Sequence, residues 1–164
     1  MPLPRSFYRR PAYELAPALL GCKLVRTVDG QRLAGLIIET EAYQGQEDQA
    51  CHARSGRTTR CEVMWGEEGH AYIYFTYGMH WMLNLVAEQD GFPAAVLIRA
   101  IFPTEGLELM QSFRPRFAHT NAWLNGPAKL TQAMGLDGSM NGADLCNPAS
   151  PLFLEEGLQI PGGL

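Results

Sequence analysis

The stretch CKLVRTVDGQRLAGLIIETEAY, residues 22–43, decides how the chain folds. Cys22 to Val28 is rich in β-branched and aliphatic residues and reads as a strand. Asp29-Gly30 is a tight-turn pair, because both positions tolerate a positive φ. Arg32 to Tyr43 then reads as the returning strand of an antiparallel hairpin.

Working outward, Pro11 to Leu20 reads as a short helix, with Pro11 suited to its first position, Gly21 just past its end, and Pro17 against it. Residues 44–70 form a long connection without period, and such connections often carry function. Ala71 to Thr76 and Trp81 to Ala87 read as strands joined by a reversal over Tyr77 to His80. Ala94 to Ala100 is an apolar strand containing Arg99. Thr104 is expected to cap a helix reaching Phe113, and Asn125 a second, with Pro127 early and Gly135 closing it. Residues 136–151 are turn-rich, and Leu152 to Glu155 reads as a last short strand. The order predicts a single α+β domain over residues 1–164. Its curved, largely antiparallel sheet is flanked by short helices.

The composition, 46% hydrophobic and 18% charged in 164 residues, is that of one globular domain. No run reaches the ~18 apolar residues of a membrane span. No apolar stretch follows Arg5, Arg9 and Arg10, so a secretory signal is not expected. Cys22, Cys51, Cys61 and Cys146 form no C-x-x-C pair and read as reduced thiols of a cytosolic protein. Net charge is −4, but residues 1–60 carry nine Lys/Arg against six Asp/Glu, and residues 61–164 four against eleven. The positive end is the one suited to a phosphate backbone.

Five constellations could carry chemistry. Strand alternation would put Leu33, Gly35, Ile37, Glu39, Glu41 and Tyr43 on one face. Two acids continuing an apolar face act as a general base beside an aromatic platform, or else the pleat breaks near Glu39 and both are solvated. Arg54, Arg57 and Arg60, spaced by small polar residues, suit phosphate contact or a solvated basic loop. His52 lies beside Cys51, but its spacing to Cys61 matches no common zinc pattern, and no metal is expected. Tyr72 to Trp81 packs six rings, counting His80, into ten residues. These are strand core, or rings that stack on bases, with Tyr77 presented at a hairpin tip. Arg99 has a carboxylate partner, Glu39 or Glu41, or reaches solvent. Asn125-Gly126-Pro127 with Lys129 is a phosphate-holding helix start or an ordinary one.

Taken together, Glu39-Thr40-Glu41-Ala42-Tyr43, Glu47-Asp48 through His52, Gly69 to Asn84, Ala94 to Leu109 and Asn125-Gly126-Pro127 to Met134 resemble the alkyladenine (3-methyladenine) DNA glycosylase family, in the family's order. The resemblance implies Glu41 as general base and Arg99 as the residue positioning its water. It implies Tyr43 and Tyr74 around a flipped base, His52 on the base's edge or face, Asn84 at the pocket wall and Tyr77 intercalated in the duplex. Arg54, Arg57 and Lys129 would touch the DNA backbone. The expected partner is double-stranded DNA holding an alkylated or deaminated purine, bound by a monomer without cofactor and without lyase activity. The expected location is the cytoplasm, on the nucleoid of a bacterium. A non-catalytic sensor of damaged DNA with the same rings is the alternative, and an RNA-binding domain the third reading. The family continues past Leu152-Phe153-Leu154-Glu155 into another strand and a basic, aromatic tail, where this chain runs through Pro161-Gly162-Gly163 to Leu164.

Overall fold

The computed structural model describes residues 1–45, 51, 53, 56–114 and 126–158. Two short helices, α1 (Arg5–Tyr8) and α2 (Ala12–Leu19), precede strands β1 (Lys23–Val28) and β2 (Gln31–Gln44). A 3₁₀ segment, Thr59–Trp65, leads to β3 (Ala71–Thr76), β4 (His80–Val86) and β5 (Ala94–Glu105). Helices α3 (Leu107–Phe113) and α4 (Pro127–Ala133) and the strand β6 (Leu152–Glu155) complete the chain. The strands form one curved antiparallel sheet in the order β3-β4-β5-β2-β1-β6. The expected α+β domain is the one observed.

The hairpin that decided the fold closes as its turn residues require, with φ 49° at Asp29 and 80° at Gly30. Helix α2 turns Ala12, Leu15, Ala16 and Leu19 inward, the i, i+3, i+4, i+7 stripe of an amphipathic helix. Pro17 sits on its exposed side, and Pro11 occupies the capping position just before the helix rather than the first turn. An internal proline costs ~3 kcal/mol. Burying Leu15 and Leu19 contributes ~1.5–3 kcal/mol each, enough to offset it.

Helices α2, α3 and α4 cover one face of the sheet. There Leu15, Leu19, Met110, Leu130 and Ala133 pack on Leu33, Ile37, Leu83, Leu85 and Ile98. The 3₁₀ segment covers part of the other face, where Cys61 and Met64 pack with Tyr72, Val86 and Ala95.

Pairing between β2 and β5 contains an irregularity that decides where side chains point. Ile37 pairs with Ile101, Glu39 with Ala100 and Thr40 with Ile98, so Ile38 and Arg99 fall out of the ladder. One extra residue on each strand reverses its inside–outside alternation. On β2, Leu33 and Ile37 face the helices before the break, and Thr40, Ala42 and Gln44 after it. Thr40 Oγ1 donates to the Ala16 carbonyl at 2.9 Å, and Gln44 Oε1 accepts from the Ala12 amide at 2.6 Å, both in α2. On β5, Ala94, Val96 and Ile98 face the core before Arg99, and Ile101 after it. Leu33, Ile37, Glu41 and Tyr43 therefore do not share a face; of the two readings the sequence allows, the break of the pleat near Glu39 is the one observed.

Thr104 does not cap α3. Strand β5 runs through Pro103 to Glu105, with a second irregularity where Ala34 pairs with Glu105 and Gly35 with Pro103. Such an irregularity tolerates a proline that cannot donate to the ladder. Thr104 Oγ1 instead donates to the Ala34 carbonyl at 3.3 Å, and Gly106, at φ 76°, starts the helix. Gly126 occupies the position before α4, and Asn125 lies outside the described residues.

Candidate active site

The paired break turns a row of side chains outward. Cα pairing runs Tyr72–Asn84–Leu97–Glu41 across β3, β4, β5 and β2, so these four share the face away from the helices. One row toward the ends of β2 and β4 stand Val86, Ala95 and Tyr43, and one row the other way Tyr74 opposite Met82. Five of the residues singled out in the sequence, Glu41, Tyr43, Tyr74, Asn84 and Arg99, thus meet on one surface built by four strands.

Glu41 is held from two sides. The Tyr43 hydroxyl donates to Oε1 at 2.6 Å, and Arg99 Nη1 donates to Oε2 at 2.9 Å. Glu41 is 44% exposed and Arg99 42%, so a water can reach the carboxylate. Arg99's partner is Glu41; Glu39, beside the break, is exposed. Burial, and then the hydrogen bond to Glu41, push the Tyr43 phenol well above its ordinary value, which keeps it a donor. Charge-assisted bonds of this length are strong and directional, so the carboxylate is fixed in orientation while its remaining lone pairs stay open.

Aromatic walls flank this acid. Tyr72 and Tyr74 lie with centroids 5.4 Å apart at 39°, and Tyr43 and Tyr74 both border the cluster of Cys51, Ala53, Cys61 and Met64. Asn84 is buried, and its Nδ2 donates to the Tyr72 carbonyl at 3.3 Å. Leu97, Tyr72, Cys61 and Met64 are buried on the same side of the sheet. Tyr72 belongs to the aromatic run singled out in the sequence, whereas nothing in the sequence pattern marks Leu97 or Met64.

Tyr77 stands apart from the acid at the tip of the β3–β4 hairpin, 87% exposed. Tyr77 and Gly78 have φ 54° and 68°, and the Met79 amide donates to the Thr76 carbonyl at 3.2 Å. A non-glycine residue held left-handed costs ~1–2 kcal/mol. Here the strain goes into presenting a ring to solvent.

The basic residues are more scattered. Arg57 is exposed and grips Glu62 through Nε and Nη2 at 2.9 and 2.6 Å. Lys129 lies on α4, which covers the opposite face of the sheet. His52 and Arg54 fall outside the described residues.

The antiparallel sheet of this α+β domain thus carries a clamped carboxylate, tyrosine rings beside it and a projecting aromatic hairpin. The chain belongs to the methylpurine-DNA glycosylase (MPG) family, whose profile matches residues 6–162. It is 52% identical to a "Putative 3-methyladenine DNA glycosylase" of Methanocella arvoryzae, over 94% of this chain and 77% of that protein. Proteins of the same name from Bacillus velezensis and Burkholderia cenocepacia are 48% and 44% identical, over 95% and 99% of this chain and 78% and 77% of theirs.

Proposed function

We propose that this protein excises alkylated or deaminated purines, of the 3-methyladenine, 7-methylguanine and hypoxanthine type, from duplex DNA. The observation that carries the reading is the Tyr43–Glu41–Arg99 clamp, set on the same sheet face as the ring of Tyr74. A base inside a duplex is out of reach and must be rotated out, at a cost of a few kcal/mol. Tyr77 fills the gap in the stack. The flipped base enters between Tyr43 and Tyr74, where a cationic alkylated purine gains cation–π attraction. His52 meets its edge or face, and Asn84 at the wall discriminates among purines.

The water oxygen then bonds to the anomeric carbon as the bond from sugar to base nitrogen breaks. Its electron pair leaves with the base, the water proton passes to Glu41, and an abasic site remains. The step parallels the base of an inverting glycosidase. Arg99 holds Glu41 toward the water. The chain has two lysines: Lys23 pairs with Glu105 at 3.4 Å, and Lys129 sits behind the sheet. Neither amine is placed to form a Schiff base, which supports hydrolysis without strand cleavage. Arg54, Arg57 and Lys129 take phosphates, Arg57 by exchanging Glu62 for one. The protein acts as a monomer and without a cofactor.

The test is incubation with duplex carrying hypoxanthine, 3-methyladenine or 7-methylguanine, with free base detected directly and strand breaks scored before and after alkali. Free base with breaks only after alkali is expected. Lesion binding with no release would make the protein a damage sensor instead.

A further inference from the structure

The β3–β4 hairpin leaves the sheet before it reaches its tip. Strand β4 pairs with β5 only at Asn84, Leu85 and Val86, so His80 to Leu83 pair with β3 alone. An isolated two-stranded ribbon is marginally stable, yet this one must bear the force of opening a duplex. Its support comes from behind. Phe75 and Trp81, cross-strand partners on the face turned from the pocket, stack with centroids 4.7 Å apart. Trp81 packs on the main core, and a Cβ on Gly138 would stand 2.7 Å from its ring edge. The buried Thr131 of α4 shares its hydroxyl proton between the Trp81 carbonyl, at 2.8 Å, and the Ala128 carbonyl, at 3.0 Å.

We propose that Trp81 is the positioning residue of the Tyr77 wedge, with Thr131 holding its backbone and Gly138 admitting its ring. Helix α4 thereby sets the angle at which the hairpin enters DNA, although it touches neither the flipped base nor Glu41. The inference rests on Tyr77 acting as a wedge and deepens that reading.

Two variants leave the pocket face intact. Thr131→Val removes the hydroxyl and keeps the shape. Gly138→Ala drives a methyl against the Trp81 ring, at a backbone conformation open to any residue. Two measurements apply: amide exchange of the peptide covering residues 74–81, and base release from a lesion paired in duplex against the same lesion in a single strand, which needs no wedge. Thr131→Val and Gly138→Ala are each expected to speed exchange in that peptide. Thr131→Val is expected to lower the duplex to single-strand release ratio by about tenfold, the scale of one lost buried hydrogen bond, and Gly138→Ala to lower it through the clash with the Trp81 ring. Thr131→Ser is expected to restore both. If both variants fold and the ratio and exchange stay at wild-type values, the proposal is overturned; a variant that fails to fold leaves the other to decide. If wild-type protein releases no base from either substrate, the excision reading fails. The exchange measurement still decides whether α4 braces the hairpin.

Discussion

Arg99 Nη1 lies 2.9 Å from Glu41 Oε2 across a break in pairing that their two strands share. Arg99 is itself the residue dropped from the β5 ladder, so its side chain is free of the alternation that would assign it to core or pocket. The guanidinium and the Tyr43 hydroxyl approach different oxygens of one carboxylate. The orientation of the carboxylate is thus set by protein groups alone.

Glu41→Gln removes the proton acceptor and keeps the shape. Base release in single-turnover experiments is expected to fall by at least ~10²-fold, while lesion-duplex binding stays within a few-fold. A variant releasing base at a near-normal rate would show that the base is another group.

Tyr43→Phe separates stacking from clamping. The ring stays and the 2.6 Å bond to Glu41 goes. Binding of a cationic lesion should hold, and the chemical step should slow by ~10-fold, the worth of one charged hydrogen bond. Equal losses in binding and chemistry would mean that the hydroxyl serves the pocket and not the acid.

Tyr77→Gly tests wedge and strain together. Glycine accepts φ 54° without penalty and little ring burial is lost, so stability in urea should be kept or raised by up to ~1 kcal/mol. Affinity for lesion duplex should drop, and affinity for a free modified base should not. A parallel loss of both would remove the wedge role.

Alkaline pH should unfold this protein early. Burial pushes the Tyr8 phenol far above its ordinary value and the Cys146 thiol up from 9.0 to about 11. The folded chain keeps these protons where the unfolded chain has lost them. Stability is therefore full below about pH 9 and declines as pH rises through 11, measurable as a falling urea midpoint. Tyr8 is fully buried and its hydroxyl has no hydrogen-bond partner among the described residues, so Tyr8→Phe should be neutral or stabilising by up to ~1 kcal/mol and should flatten that decline. A destabilised Tyr8→Phe would reveal a partner for the hydroxyl.

Gly106→Ala should be costly. Gly106 has φ 76°, and a Cβ there would stand 2.5 Å from the Arg32 carbonyl oxygen. Backbone strain and a backbone clash add, and a loss of at least ~2 kcal/mol in unfolding free energy is expected. A change under ~0.5 kcal/mol would mean that the β5–α3 corner can shift.

Much of this was legible in the chain itself. Asp29-Gly30 located the first hairpin and Tyr77-Gly78 the second, because turn chemistry is local. Leu152 to Glu155 stood out as a strand from its apolar run. The failures share a cause. Alternation placed Glu41 and Tyr43 on the face of Leu33 and Ile37, and the other reading, a break of the pleat near Glu39, is the one observed; no residue type chooses between them, because the break exists only in the pairing of distant strands. Thr104 reads as a cap because the apolar strand reads as ending at Ala100, whereas β5 runs on to Glu105 with Pro103 opposite Gly35. Met64 and Cys61 come to that side of the sheet from a connection without period, which alternation cannot read.

The breaks on β2 and β5 cancel in register, since Ile37 pairs with Ile101 and Thr40 with Ile98 in the same frame on either side of them. Hydrogen bonding along the ladder is therefore almost blind to them, and they act as a frameshift in orientation alone. Removing Ile38 and Arg99 would leave Glu41 and Tyr43 on the outward face, whereas pairing both residues into the ladder without a break would turn that carboxylate and tyrosine beneath α2. Two residues left out of the ladder thus decide which side of the sheet Glu41 and Tyr43 face.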